Sequence, residues 1–393
     1  MSPAASVARP SIPATRYAVR IDRAREAAAA RGVAALLVGA GADLRYLTGY
    51  QALLTERLTM LVLPAAGRPA DRPALIAPRL EAMAAEEGPA ARAGAVEVVA
   101  WDETDDVHAL VGGRVARGGE APRVLLSDQL WAMHVLGLQR FLGDASFGLA
   151  TEILRALRMS KDPEEIALLR LAARAADRVV DQIASGRLVG RTEAEVAREV
   201  LDRLLTEGHD LAEFAIVGSG PNSASPHHEA SDRVIEAGEP IVLDIGGTLD
   251  GYWSDTTRTL WVTGGDPDRR PDADFLEIFG LVRDANAAAT ATARPGVACE
   301  EIDAAARRLI VAGGYGDAFI HRTGHGIGLE VHEEPYIVAG NREPLREGVA
   351  FSVEPGIYLA GRFGARIEDI VVCGRDGPIV LNESSHDLRV VDG

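Results

Sequence analysis

Four carboxylates and a group of histidines in the C-terminal half of the sequence have the types and spacing of a metal centre. The run from Ile241 to Val262 reads as a hairpin, with Leu249-Asp250-Gly251 near the turn. Asp244 interrupts an otherwise apolar strand, and Asp255 lies on the returning strand. Their residue numbers add to an odd value, and a two- or four-residue loop pairs residues of odd sum. Both side chains therefore project from one face, opposite or diagonal, with Cβ atoms about 5–8 Å apart. Two like charges on one face repel each other and make poor core residues, and a bound cation resolves the conflict.

A second hairpin repeats the device. Ala350–Leu359 turns near Gly361 and returns as Ala365–Val372, carrying Glu354 and Glu368. Their numbers add to an even value, so a three- or five-residue loop centred on Gly361 puts both on one face. Pro355 suits a strand end or an edge, where a site can open. Between the hairpins lie His321, His325 and His332. His321 and His325 have the i, i+4 spacing of a helical zinc site. Gly324, Gly326 and Gly328 argue against a helix there and for a strand or loop that approaches a ligand closely. His227 and His228 follow Pro226, so five of the nine histidines fall between 227 and 332.

Four strand-borne carboxylates with at least one imidazole can hold two divalent ions, and such a pair activates a shared water. Mixed oxygen and nitrogen donors suit Mn, Co, Zn or Fe better than Ca. Each element alone has a plainer reading: solvated turn acids, a glutamate paired with Arg362 or Arg366, a structural histidine. Their conjunction carries the argument.

The elements that must position these residues can also be read. Ser160-Lys161-Asp162-Pro163-Glu164-Glu165 is a helix start, with Pro in the first turn and acids at the positive end of the dipole. Ile166, Leu169, Ala173, Ala176, Val180 and Ile183 then mark one buried face. Thr192 and Glu195 have capping-box spacing and open a helix to about Leu205. Helices over about Ala273–Ala293 and Glu300–Ala312 repeat the pattern about 110 residues on. Two helix-pair-plus-sheet halves follow, related by approximate twofold symmetry. Upstream, apolar runs at Val33–Val38, Leu58–Pro64, Ala74–Ala77, Val96–Ala100 and Val124–Ser127 alternate with helical segments at Ile21–Arg31, Leu80–Glu87 and Trp131–Leu142. This predicts a separate α/β layered domain. No glycine-rich phosphate loop occurs there.

The composition narrows the partners. The 393 residues carry a formal charge of −17, which disfavours nucleic acid and anionic membranes. Lys161 is the single lysine, and Cys299 and Cys373 read as small buried thiols rather than a disulfide framework. No run reaches the roughly 18 apolar residues of a membrane span, and the first residues lack a secretory apolar core. A cytoplasmic location is expected.

The segments LDIGGTLDGYWSDTTRT, HRTGHGIGLEVHEEP, FSVEPGIYL and RIEDIVV resemble the successive motifs of the pita-bread metallopeptidases, which include Xaa-Pro dipeptidase, Xaa-Pro aminopeptidase and methionine aminopeptidase. LRYLTGY at 44–50 and SKDPEE at 160–165 resemble the creatinase/prolidase N-terminal domain and its junction. The resemblance implies an α+β chain: a loose tail at 1–15, a creatinase-type α/β domain at 16–158 and a pita-bread catalytic domain of two pseudo-symmetric halves at 159–393. It implies Asp244, Asp255, His325, Glu354 and Glu368 as ligands of two divalent ions, Mn foremost, with Asp255 and Glu368 bridging. Glu354 would also handle the proton of the nucleophilic water. His227 and His332 would serve catalysis, and His227, His321, His332 and Arg366 would contact substrate. His228 has no counterpart and is taken as exposed or incidental. The expected activity is hydrolysis of the bond preceding proline in a small peptide, as dipeptidase or aminopeptidase, by a homodimer. The alternative is another metal-dependent hydrolase or lyase of this fold acting on a small amino-acid derivative or osmolyte. A non-catalytic relative would be expected to lack ligands, and all five are present.

Overall fold

The computed structural model of the protein describes residues 9–67, 72–115 and 121–392. They form two units, residues 11–158 and residues 159–392, with residues 9 and 10 belonging to the second. The tail expected at 1–15 overlaps described residues from Arg9 onward. Residues 1–8 lie outside the described residues, Arg9 donates to Asp210 and to the Gly208 carbonyl, each at 2.6 Å, and the first helix begins at Ala14.

The first unit runs α1 (Ala14–Ala30), β1 (Ala35–Gly39), α2 (Ala42–Thr48), β2 (Met60–Pro64), β3 (Ala74–Pro78), α3 (Arg79–Glu86), α4 (Pro89–Arg92), β4 (Glu97–Trp101), α5 (Val107–Arg114), β5 (Arg123–Leu126), α6 (Ala132–Phe141), β6 (Ser146–Leu149) and α7 (Thr151–Met159). Its mixed sheet has the order β4-β3-β2-β1-β5-β6. Every residue of β1, β2 and β3 is buried, which is why these strands read as continuous apolar runs rather than alternating ones. The LRYLT motif lies on α2, which stops at Gly49 in the left-handed conformation (φ 72°).

The second unit has two halves. The first comprises α8 (Pro163–Ala184), α9 (Glu193–Thr206), β7 (Leu211–Ser219), β8 (Glu239–Leu249) and β9 (Tyr252–Val262). The second comprises α10 (Ala273–Thr292), α11 (Cys299–Ala312), β10 (Gly324–Gly326), β11 (Glu333–Ile337), β12 (Ala350–Val353), β13 (Gly356–Leu359), β14 (Phe363–Arg366), β15 (Asp369–Gly374) and β16 (Gly377–Val380). The last strand, β17 (Arg389–Val391), returns to pair with β9. Capping boxes start α8, through Asp162 and Glu165, and α9, through Thr192 and Glu195.

The hairpin β8–β9 closes on the two-residue turn Asp250-Gly251, both residues at positive φ (48° and 76°). This turn fixes the register, and the register fixes the faces. Ile241, Leu243, Ile245, Leu260 and Val262 enter one core with Val180, Val196 and Val200 of α8 and α9. Asp244 and Asp255 fall on the opposite face, diagonal to one another, because Asp244 pairs with Thr257 and Asp255 with Gly246. Trp261 also lies on that face and packs against Phe275 of α10, with ring centroids 4.7 Å apart. Strand β9 thus serves the cores of both halves.

The second hairpin differs from the continuous strands expected at 350–359 and 365–372. Its three-residue loop is centred on Gly361, and Leu359 pairs with Phe363. Both strands break where the glutamates sit: β12 ends at Val353 and β13 begins at Gly356, while β14 ends at Arg366 and β15 begins at Asp369. The break lets Glu368 turn to the first half, where its N–H donates to the Thr257 carbonyl at 3.0 Å. Pro355, which has no N–H, removes a ladder donor at that point.

His325 lies on β10, squeezed between β11 and β12. A Cβ at Gly324 would collide with the Ser352 carbonyl, and one at Gly326 with the Glu333 and Glu334 carbonyls. The glycines flanking His325 are therefore required by strand spacing. Gly324→Ala is expected to lower stability by about 1–3 kcal/mol through overpacking. Denaturant titration reads this as a lower midpoint at constant slope, and an unchanged midpoint would show that the strands yield.

Candidate metal centre and active site

The β8–β9 face and the broken second hairpin bring the acids together. Asp255, His325 and Glu368, all buried, offer one ligand atom each within 4.8 Å of one another. His325 Nε2 lies 3.5 Å from Asp255 Oδ2 and 3.3 Å from Glu354 Oε1. Its backbone N–H donates to Ser352 Oγ at 3.0 Å, and its Nδ1 lies 3.1 Å from the Gly326 carbonyl, leaving Nε2 facing the acids. Asp244 stands outside the triplet. Its Oδ2 accepts from Arg366 Nη2 at 2.5 Å.

The donor set fits divalent cations. Asp244 Oδ1 and Glu368 Oε1 are buried and have no hydrogen-bond partner among the described residues. Leaving such atoms unsatisfied is costly, and a metal ion supplies the missing partner. Burial, aggravated by Asp255 and Glu354, pushes the Asp244 carboxyl up to about 7 against the pull of Arg366. Burial, Asp255 and Glu354 drive Glu368 well above the ordinary carboxylate range. Burial also raises Asp255, although His325 opposes it. Glu354 is shielded from water too, but the charges of His325, His321 and Arg366 hold it below its usual value. Cations in this cluster would keep all four acids ionised.

His332, His321 and Arg366 of the expected substrate residues flank this cluster. His332 meets His325 edge to face, with ring centroids 4.2 Å apart. Burial, with His325 and Arg322 nearby, lowers His332 to about 4, so it is neutral at pH 7. His321 lies 4.0 Å from Glu354, and burial lowers it as well. His227 is exposed. Arg366 is buried, with Nη1 donating to Tyr358 Oη at 2.9 Å and Nε to Thr257 Oγ1 at 3.0 Å. Tyr358 Oη also lies 2.9 Å from His321 Nε2. Tyr358 thus links His321, Arg366 and Asp244, a role that no local pattern in the sequence announced. Thr257, which donates to Glu368 at 2.7 Å, went unnoticed for the same reason.

Three other polar anchors support the site. His228 is not incidental as expected: its Nε2 bonds to buried Glu193 at 2.7 Å. Asp303 of α11 accepts from Thr323 at 2.8 Å and pairs with Arg307, which donates to the His321 carbonyl at 2.9 Å. Lys161 forms a buried ion pair with Glu333, beside His332.

This fold and this donor set are those of a metallopeptidase, and the chain belongs to metallopeptidase family M24, whose pattern matches residues 167–375. Residues 20–160 match the creatinase/prolidase N-terminal domain. The chain is 46% identical over 376 residues to the probable dipeptidase PepE of Mycobacterium bovis, covering 95% of this chain and 96% of that protein. It is 37% identical to the Xaa-Pro dipeptidase of Lactobacillus helveticus, covering 67% of this chain and 71% of that one. The crystal structure of dipeptidase PepE from Mycobacterium ulcerans superposes with a TM-score of 0.89 at 45% identity, over 97% of this chain and 99% of that one.

The protonation of the cluster gives a pH prediction. Carboxylates raised in the folded, metal-free protein bind protons that the unfolded chain, with carboxyls near 4, has already released. Stability of the metal-free protein from these groups therefore falls as pH rises from about 4 to 7. Cations must displace those protons, so their stabilisation should grow over the same interval. Melting with Mn against a chelator is expected to show a small gain at pH 5 and the full gain above pH 7. A gain independent of pH would refute the protonated cluster.

Proposed function

We propose that this protein is an Xaa-Pro peptidase, cleaving the bond before proline in short peptides, with dipeptides favoured. The observation that carries the proposal is the buried cluster of Asp255, His325 and Glu368 with Glu354 and Asp244 beside it, where oxygens of Asp244 and Glu368 have no hydrogen-bond partner among the described residues. The name of the Lactobacillus helveticus relative supports the proline preference. In this reading those five residues would hold two divalent ions, Mn foremost, with Co, Zn or Fe as alternatives. When bound, the ions supply an acidified shared water and polarisation of the scissile carbonyl.

The chain's own residues do the rest. Glu354 is the most open of the acids beside His325 and Arg366, its side chain 15% exposed against 11% for Asp244 and 7% for Asp255. Held anionic by its cationic neighbours, it accepts the proton of the attacking water and delivers it to the leaving nitrogen. An amide nitrogen departs only once it is protonated, so this transfer is required for the bond to break. Neutral His332 donates to the oxyanion as it develops. His227 and His321 orient the substrate, and Arg366 fixes Asp244.

A panel of Ala-Pro, Leu-Pro and Gly-Pro against Ala-Ala and longer Xaa-Pro peptides, with Mn, Co and Zn, tests the proposal. Metal-dependent release of the N-terminal residue from Xaa-Pro dipeptides is expected, and Glu354→Gln should lower kcat about 100-fold or more even in excess metal. Release from Ala-Ala alone, or from no Xaa-Pro peptide, would refute it. We also propose a cytoplasmic homodimer. Cys299 and Cys373, both buried, support a reducing compartment. No helix among the described residues is long and apolar enough to cross a membrane. Light scattering should give twice the 41.6 kDa chain mass, and a monomer would refute the dimer.

A further inference from the structure

We infer that Glu193, at the start of α9, is a positioning residue that orients His227 by gathering the loop 219–231 onto one buried carboxylate. Glu193 is fully buried. Its Oε1 accepts from the Ser219 N–H at 2.8 Å and the Ser219 hydroxyl at 2.7 Å. Its Oε2 accepts from the Ser231 hydroxyl at 2.6 Å, the Ser231 N–H at 3.2 Å and His228 Nε2 at 2.7 Å. The Asn222 amide donates to both oxygens at 3.1 Å. Donors from both ends and the middle of one loop thus converge on a single anion. Fixing so irregular a segment costs conformational entropy, and charge-assisted bonds of this number offset it.

The same loop is tied to the active site on its other side. The Pro226 carbonyl accepts from Arg366 Nη1 at 3.3 Å, and Ser223 Oγ accepts from the Gly364 N–H at 2.8 Å. Arg366 also binds Asp244. His227 sits between these anchorages, preceded by the residue held by Arg366 and followed by the residue held by Glu193. His228 turns inward to the carboxylate while His227 remains exposed. Removing the carboxylate would release His228 and with it the orientation of its neighbour.

The inference rests on the reading of His227 as a substrate-contacting residue, and a double-mutant cycle on Ala-Pro tests it. Glu193→Gln keeps the shape but replaces one acceptor oxygen by a donor amide that faces other donors. It is expected to lower kcat/KM about tenfold with metal content unchanged, and less than about twofold when His227 is already Ala. Equal losses in both backgrounds would overturn the proposal, because a carboxylate needed only for stability acts whatever stands at 227. Should Glu193→Gln fail to fold, His228→Ala is read in the same cycle. Amide exchange supplies an arm free of activity: the variant should exchange faster over 219–231 with β8 and β9 unchanged, and unchanged exchange would overturn the proposal. A wild-type enzyme inactive on every Xaa-Pro peptide would refute the function, and the exchange arm would then decide the role of Glu193.

Discussion

The structure depends on the repulsion among four carboxylates buried within reach of one imidazole. Nothing in an apolar core tolerates such an arrangement without compensation. Arg366 compensates part of it at Asp244, and Thr257 gives Glu368 one hydrogen bond. Asp244 Oδ1 and Glu368 Oε1, without a hydrogen-bond partner among the described residues, are left to cations. Much of the local architecture follows from holding the acids there: a hairpin whose turn admits one register, strands that break at Glu354 and Glu368, and glycines on either side of His325.

The site lies where the two halves meet, and buried pairs such as Arg258 with Asp369 also cross between them. Each half has its own helix pair and its own core, and β9 contributes to both cores. Each also hangs a histidine-bearing segment on a buried acid of its second helix. Glu193 of α9 holds the loop around His227, and Asp303 of α11 holds Thr323 and, through Arg307, the His321 backbone. Asp244 and Asp255 lie on strands and Glu354 and Glu368 at strand breaks, while His227 and His321 lie on the segments these anchors restrain. Rigidity is thus supplied separately to the two kinds of group.

The facing carboxylates were legible in the sequence because their placement obeys local rules. Strand alternation and a two-residue turn suffice to put Asp244 and Asp255 on one face. The three-residue loop centred on Gly361 does the same for Glu354 and Glu368. What stayed hidden rests on contacts between distant positions. Tyr358 looks like an ordinary strand aromatic until the fold brings His321 and Arg366 to its hydroxyl. Glu193 looks like a first-turn acid placed for the helix dipole, and only tertiary structure turns the Ser219–Ser231 donors toward it. His228 was misread because a histidine in a polar loop gives no sign of which way it faces. In the first unit, fully buried strands gave strong apolar runs, whereas short α2 and glycine-bearing α5 gave little periodicity.

The ion pair of Lys161 with Glu333 has a consequence beyond the site. Lys161 is the sole lysine of the sequence, and its side chain is 2% exposed. The cationic side chains on the surface are therefore guanidinium groups, which acylating reagents and lysine-modifying enzymes leave untouched. The folded molecule offers such chemistry no exposed side-chain amine. Acylation of Lys161 would report how often the segment beside His332 opens, making this one buried amine a built-in clock for local unfolding at the active site.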